Sequence, residues 1–202
     1  MGSNWYKYQN LDPSIRGMIM QKEKNQAMNE RTYSENVIKQ DIYPTAIIMR
    51  LGHSSSNQYN GKDTLKIYCD FCNKNHSVWF STNSLASGMS EKKRSEFIGE
   101  IKNGNSVEMY FAIGRNSGGN NDIQYKAEVL DIKTDGDGIP SPEKTLTPDE
   151  WKNDKNKIWI KIKHLSPFTK LTTKDFVVVS SKKVLADSIA HSQYHFGYIK
   201  KK

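Results

Sequence analysis

Apolar and polar positions change rhythm along the chain near Tyr43. Before that point the sequence is polar and its few apolar residues keep helical spacing. In "LDPSIRGMIMQKEKNQAMNE", Asp12 is placed to cap a helix that Pro13 opens. Ile15, Met18 and Ile19 then fall on one face, so residues 10–40 are predicted to be largely helical. After Tyr43 the runs shorten to strand length. "TAIIMRL" (45–51) reads as a buried strand, and "TLKIYCDF" (64–71) as the strand returning from a hairpin at Asn60-Gly61. "HSVWFS" (76–81) is a further strand. "SEKKRSEFIGEIKNG" (90–104) has Ser90 as a cap and apolar residues at Phe97, Ile98 and Ile101, which predicts a surface helix ending at Gly104.

"SVEMYFAIG" (106–114) and "IQYKAEVLDIK" (123–133) have strand composition. The Gly- and Asn-rich "RNSGGNN" predicts that they pair antiparallel. Residues 134–150 read as a long acidic loop rich in Pro and Gly, a length that usually carries function. "KIWIKIKHL" (157–165) alternates, with Ile158, Ile160 and Ile162 on one face and Trp159, Lys161 and Lys163 on the other. A short strand (175–181), a short helix (182–193) and a closing aromatic segment (194–199) complete the chain. The expectation is an α+β fold of six or seven mostly antiparallel strands, a small, mixed, curled sheet or open barrel with short flanking helices. The organisation expected is an N-terminal helical arm over 1–44 and one domain over 45–202.

Charge narrows the class of partner. Thirty Lys and Arg against 22 Asp and Glu give a net charge of +8, which favours a polyanion and, among polyanions, nucleic acid. Apolar runs fall far short of the ~20 residues of a membrane helix, and the N-terminus has no apolar signal-peptide core. No membrane association is expected. With only two cysteines, Cys69 and Cys72, a reducing cytoplasm is the expected compartment.

Catalytic motifs are absent. The sequence has no P-loop, GxSxG, HExxH or dinucleotide-binding glycine pattern. The acid-x-Lys triplets "DIK" and "EWK" lack an acidic partner at hairpin distance. A non-enzymatic protein without cofactor is expected. "CDFCNKNH" offers Cys69, Cys72 and His76 to a zinc ion, with His53 as a possible fourth ligand. A single CxxC does not specify such a site, so two reduced thiols and no metal are expected.

The tryptophans carry more information. Trp79 ends an apolar run before small polar residues, Trp151 lies in the acidic loop beside Lys152, and Trp159 lies on the polar face of its strand. Each alone fits a core position. A tryptophan beside a polar loop equally suits base stacking, worth roughly 1–3 kcal/mol per base.

Their order matches a known pattern. "SVWFSTNSLASGM", then "VEMYFAIGRNSGGNNDIQYKAEVLDIK", then "DEWKNDKNKIWIKIKHLSP" resembles the YTH domain and its EVE and wider PUA-like relatives over residues 76–167. The resemblance implies a curled antiparallel β-barrel with flanking short helices. It also implies a reader that captures N6-methyladenine or a similar modified base in an aromatic cage. By motif match, Trp79 and Trp151 would be the cage walls, with Ser81, Thr82 and Asn83 at the rim, and Trp159 would be structural. YTH domains have a Lys-Ser strand before the tryptophan, and here Lys66 only loosely takes that place. The segment after residue 167 is similar instead to EVE-type relatives, some fused to modification-dependent restriction systems.

The expectation is therefore a DNA-specificity module of a prokaryotic restriction or defence system. It would bind DNA in preference to RNA and work with a fused or associated NTPase or nuclease. Arg115, Lys161 and Lys163 would contact the nucleic-acid backbone, positioning the strand without reading sequence. Two alternatives stay open: an RNA-binding PUA-like module, and a protein-interaction or regulatory domain whose aromatics are core.

Overall fold

A computed structural model describes residues 11–15, 17–24, 40–54, 58–192 and 194–202. The chain divides into two units, Met1–Lys39 and Gln40–Lys202. In the first, residues 13–15 and 17–24 are helical, and the Asp12 carboxylate accepts the backbone N–H of Ser14 at 2.8 Å, as an N-cap does. The helix expected over 25–39 lies outside the described residues.

The second unit is built on one seven-stranded sheet. In chain order its elements are β1 (Thr45–Leu51), α1 (Gly61–Asn75), β2 (Val78–Thr82), α2 (Glu91–Lys102), β3 (Val107–Ile113), β4 (Ile123–Pro140), β5 (Lys155–Pro167), β6 (Phe176–Val178), α3 (Leu185–His191) and β7 (Phe196–Lys201). The strand order across the sheet is β2-β5-β4-β3-β1-β7-β6. β1 and β3 are parallel and every other named pair is antiparallel.

This agrees with the mixed, open sheet read from the residues and corrects the antiparallel barrel that the resemblance implied. The sheet is mixed, because α1, β2 and α2 intervene between β1 and β3 and bring the chain back as a crossover, not a hairpin. It is also open: among the described residues β2 bonds only to β5, and β6 pairs with β7 and with a single bridge to Val184. The α+β class and the short helices stand.

Alternation along β1 sends side chains to two cores. Ile47, Met49 and Leu51 join Phe80, Phe111, Ile158 and Ile160 on one face, beneath α1 and α2. Ala46 and Ile48 join Tyr110, Phe176, Leu185 and Ile199 on the other, beneath α3. β3 is buried along its whole length, with Glu108 inside it held by Lys126, Lys201 and the Tyr110 hydroxyl.

Two elements differ from expectation. The predicted hairpin strand over 64–71 is part of α1. Asn60 does not open a hairpin. Its side chain accepts from the Asp63 N–H at 2.9 Å and caps the helix, and Leu65, Tyr68 and Cys72 then bury one helical stripe. The loop expected over 134–150 is strand as far as Pro140, pairing with β5 through a register shift between Thr134 and Ile139. Only the remainder is irregular, with a 3₁₀ turn at Lys144–Leu146. Among the described residues no helix is long and apolar enough to cross a membrane.

Candidate functional site

The C-terminal ends of β1 and β2 open into a cavity of about 450 Å³. That volume lies within the range of small-molecule sites, roughly 300–1,000 Å³. α1 lends it Tyr68, β2 lends Phe80 and Ser81, and the segment between β4 and β5 lends Trp151 and Asp154. Trp151 stacks on Tyr68 with ring centres 4.5 Å apart and planes within 6°. Tyr59 meets it edge-on at 6.0 Å. Trp151 is thus braced by two rings and remains half-buried at the cavity wall. Tyr68 in turn packs on Phe80 at 4.9 Å, and its hydroxyl lies 3.3 Å from the Ser81 hydroxyl. Burial pushes the Tyr68 phenol far above its ordinary range, against the bonds from Ser81, so the ring is neutral.

The polar part of the wall is ordered. Thr82 and Ser84 share a hydroxyl bond of 2.8 Å. The Asn83 carbonyl oxygen accepts the Lys157 backbone N–H at 2.7 Å, and its amide nitrogen donates to the Asn156 carbonyl oxygen at 2.8 Å. Asn156 is 8% exposed, and its amide nitrogen has no partner among the described residues. Arg50, on the β1 side of the same cavity, has a buried Nε that is also unpartnered among the described residues. Two orphan donors in residues that line one cavity are unusual, because a buried donor left unpaired costs roughly 1–3 kcal/mol.

A second cavity of about 320 Å³ shares Arg50, Gly52 and His53 with the first. Its other walls are Gly114, Arg115, Asn116, Ser117 and Asn121, with no carboxylate among them. His53 Nε2 lies 3.0 Å from the Asn116 carbonyl oxygen. Among the described residues neither guanidinium has a carboxylate partner.

Of the residues expected at a modified-base site, the first cavity gathers Trp151, Ser81, Thr82 and Asn83. Trp79 is elsewhere. It is 3% exposed, its indole N–H donates to Glu143 at 3.4 Å, and Lys161 lies 5.8 Å from its ring centre. No ring contact joins Trp79 to Trp151 among the described residues. The reason is parity along β2: Phe80 and Val78 point to the main core and Trp79 to the opposite face. Trp159, expected on a polar face, is fully buried there, with its N–H donating to the Ile139 carbonyl at 2.9 Å.

Of the expected backbone contacts, Arg115 lines the second cavity. Lys161 and Lys163 are instead engaged, by Glu143 at 2.9 Å and Glu128 at 3.2 Å.

Cys69 and Cys72 lie three apart on α1. Their thiols face the Leu165 and Ile162 carbonyls at 3.3 Å and 4.0 Å. Burial, and for Cys69 also the neighbouring Asp70, pushes both thiols up, so they are protonated at neutral pH. His76 caps the end of α1 in a left-handed conformation, and His53 lines the cavities. Among the described residues no three His, Cys, Asp or Glu side chains converge to hold a metal ion.

Sequence reasoning missed Tyr68, Phe80, Arg50 and Asn156. The helical spacing of Leu65, Tyr68 and Cys72 was the available signal for the first. No family model, curated protein or solved structure matches the chain.

Proposed function

We propose that the larger cavity binds a flat, modified nucleobase and that the protein is a reader of modified nucleic acid. One observation carries this reading: Trp151, braced on Tyr68, lines a cavity of base-binding size together with the polar side chains of Ser81, Thr82, Asn83 and Asn156. The adjoining cavity adds two guanidiniums free of carboxylate partners, which suit the phosphates flanking a captured base. A net charge of +8 agrees with a polyanionic partner.

The reading keeps the YTH/EVE-type resemblance and moves its cage. Trp151, Tyr68 and Phe80 form the apolar wall, and Trp79 supports the sheet behind it. The captured base must be single-stranded or flipped, since a base inside a duplex cannot reach such a cavity. One added methyl contributes roughly 0.8 kcal/mol on burial, about a fourfold preference, so stronger selection falls to the polar wall.

The test is titration of single-stranded DNA and RNA oligonucleotides carrying adenine or N6-methyladenine. Tighter binding of the methylated strand is expected, with DNA favoured. Trp151→Ala should weaken it roughly 5- to 150-fold, the range for loss of one stacking ring. Equal affinity for methylated and plain strands would end the reading of a modified base.

A further inference from the structure

We infer that the second cavity is a phosphoryl site built by Arg50 and the loop between β3 and β4, and that it holds the phosphate of the same nucleotide whose base enters the larger cavity. The unit recognised is then one nucleotide in one orientation. The inference rests on the base-binding reading above. Arg50 is half-buried at the end of β1. Of its guanidinium only Nε is enclosed, and none of the three nitrogens has a hydrogen-bond or carboxylate partner among the described residues. A half-buried charge with no counter-charge is costly, and a bound anion offsets that cost. Arg115 adds a second, exposed guanidinium.

The loop that carries Arg115 is fixed from behind. Gly119 lies so close to β3 that a Cβ there would collide with the Ile113 carbonyl. The Asn121 backbone N–H donates to that same carbonyl at 2.8 Å. The Asn121 side-chain oxygen accepts the Arg115 N–H at 3.2 Å. That N–H is only a donor, so the amide cannot turn over, and its NH₂ is left without a partner among the described residues. Asn121 thus brings a half-buried donor to a cavity lined by two guanidiniums and no carboxylate.

Charge sets the orientation. Asp154 is the one carboxylate among the described residues lining either cavity, and it lines the larger. A phosphate is disfavoured there and an uncharged base is not. The cavities share Arg50, Gly52 and His53, so adjacent parts of one ligand can occupy both. Lys161 and Lys163, expected along a strand, are paired instead with Glu143 and Glu128, which leaves the phosphate beside the base as the one gripped.

The test is calorimetric titration of the whole chain with five probes. These are N6-methyl-2′-deoxyadenosine, its 5′-monophosphate, its 3′-monophosphate, a dinucleotide containing it, and inorganic phosphate. The best phosphorylated nucleoside should bind roughly 10- to 150-fold tighter than the nucleoside, the effect of one hydrogen bond to a charged group. Arg115→Gln removes one guanidinium. Asn121→Asp keeps an oxygen for the Arg115 N–H and puts a second oxygen in place of the NH₂. Both variants, checked for folding by thermal denaturation, should lose most of the gain and bind the nucleoside as the wild type does. Lys102→Gln lowers the net charge equally at an exposed residue that lines neither cavity, and should keep the gain.

A gain confined to the monophosphates would support the site as one for a strand end, and a gain shared by the dinucleotide as one for a phosphate within a strand. Equal binding of the nucleoside and every phosphorylated form would overturn the inference and leave the base-binding reading standing. A gain that survives in both folded variants, or is lost equally in Lys102→Gln, would also overturn it. Inorganic phosphate bound through Arg115 and Asn121, with no nucleoside bound, would keep the phosphoryl site and end the base-binding reading. Binding of none of the probes would overturn both.

Discussion

Trp79 and Trp151 both adjoin polar segments, yet their neighbours give them opposite duties. Trp79 is enclosed on the face of β2 away from the main core, with Glu143 on its N–H and Lys161 against its ring. Lys161 first, and Trp79 second, hold the Glu143 carboxyl below its ordinary range, so the contact stays ionic at neutral pH. Removing so large a buried ring leaves a cavity. Trp79→Ala should therefore lower stability by about 3–5 kcal/mol in a denaturant titration. If stability barely changes while oligonucleotide binding is lost, Trp79 is a ligand wall after all. Trp151→Ala should show the reverse, because Trp151 is only half-buried and rests on rings that stay in place without it.

At the scale of elements, α1 decides where the cavity's aromatic floor lies. Its start depends on Asn60, and Asn60→Ala should cost about 1 kcal/mol by loss of the cap, read as a lower thermal midpoint. The same residue shows why this element was hard to read. Asn-Gly is a strong hairpin signal, and Leu65, Ile67, Cys69 and Phe71 alternate like a strand; the competing helical stripe of Leu65, Tyr68 and Cys72 won only through packing. β5 was legible because its alternation was clean, and the β3–β4 pair because Gly and Asn filled its turn. In β2, Val78, Trp79 and Phe80 are all apolar, so nothing in the sequence said which parity faced the main core. The two faces could be assigned only once β5 had supplied the register.

Across the whole molecule, β3 carries its charge inside. Burial alone would push the Glu108 carboxyl up, but bonds from Lys126 and Tyr110 and the charges of Lys126 and Lys201 together hold it below its ordinary value. A carboxyl whose folded value lies below its unfolded one, roughly 4.3, stabilises the protein above that pH. The contribution is lost as pH falls through the lower, folded value. The thermal midpoint should therefore be level through neutral pH and drop below about pH 4. Glu108→Gln should lower the plateau and flatten the acid drop. An unchanged acid drop in that variant would assign the effect to other carboxylates.

The strand order also governs when the site can exist during synthesis. Ser81 and Thr82 lie in β2, whose only sheet partner among the described residues is β5, at Trp159 and Ile158. The loop to be closed spans about half of the second unit, and pairings so distant in sequence form slowly. Until residue 158 has been made and docked, β2 has no strand to hold it, although the chain already contains Tyr68, Phe80 and Trp151. A ribosome-bound or truncated chain ending before β5 would therefore carry Tyr68, Phe80 and Trp151 without the strand that holds β2 beside them. If the cavity binds a base as proposed, binding would report that the polypeptide has been completed through β5.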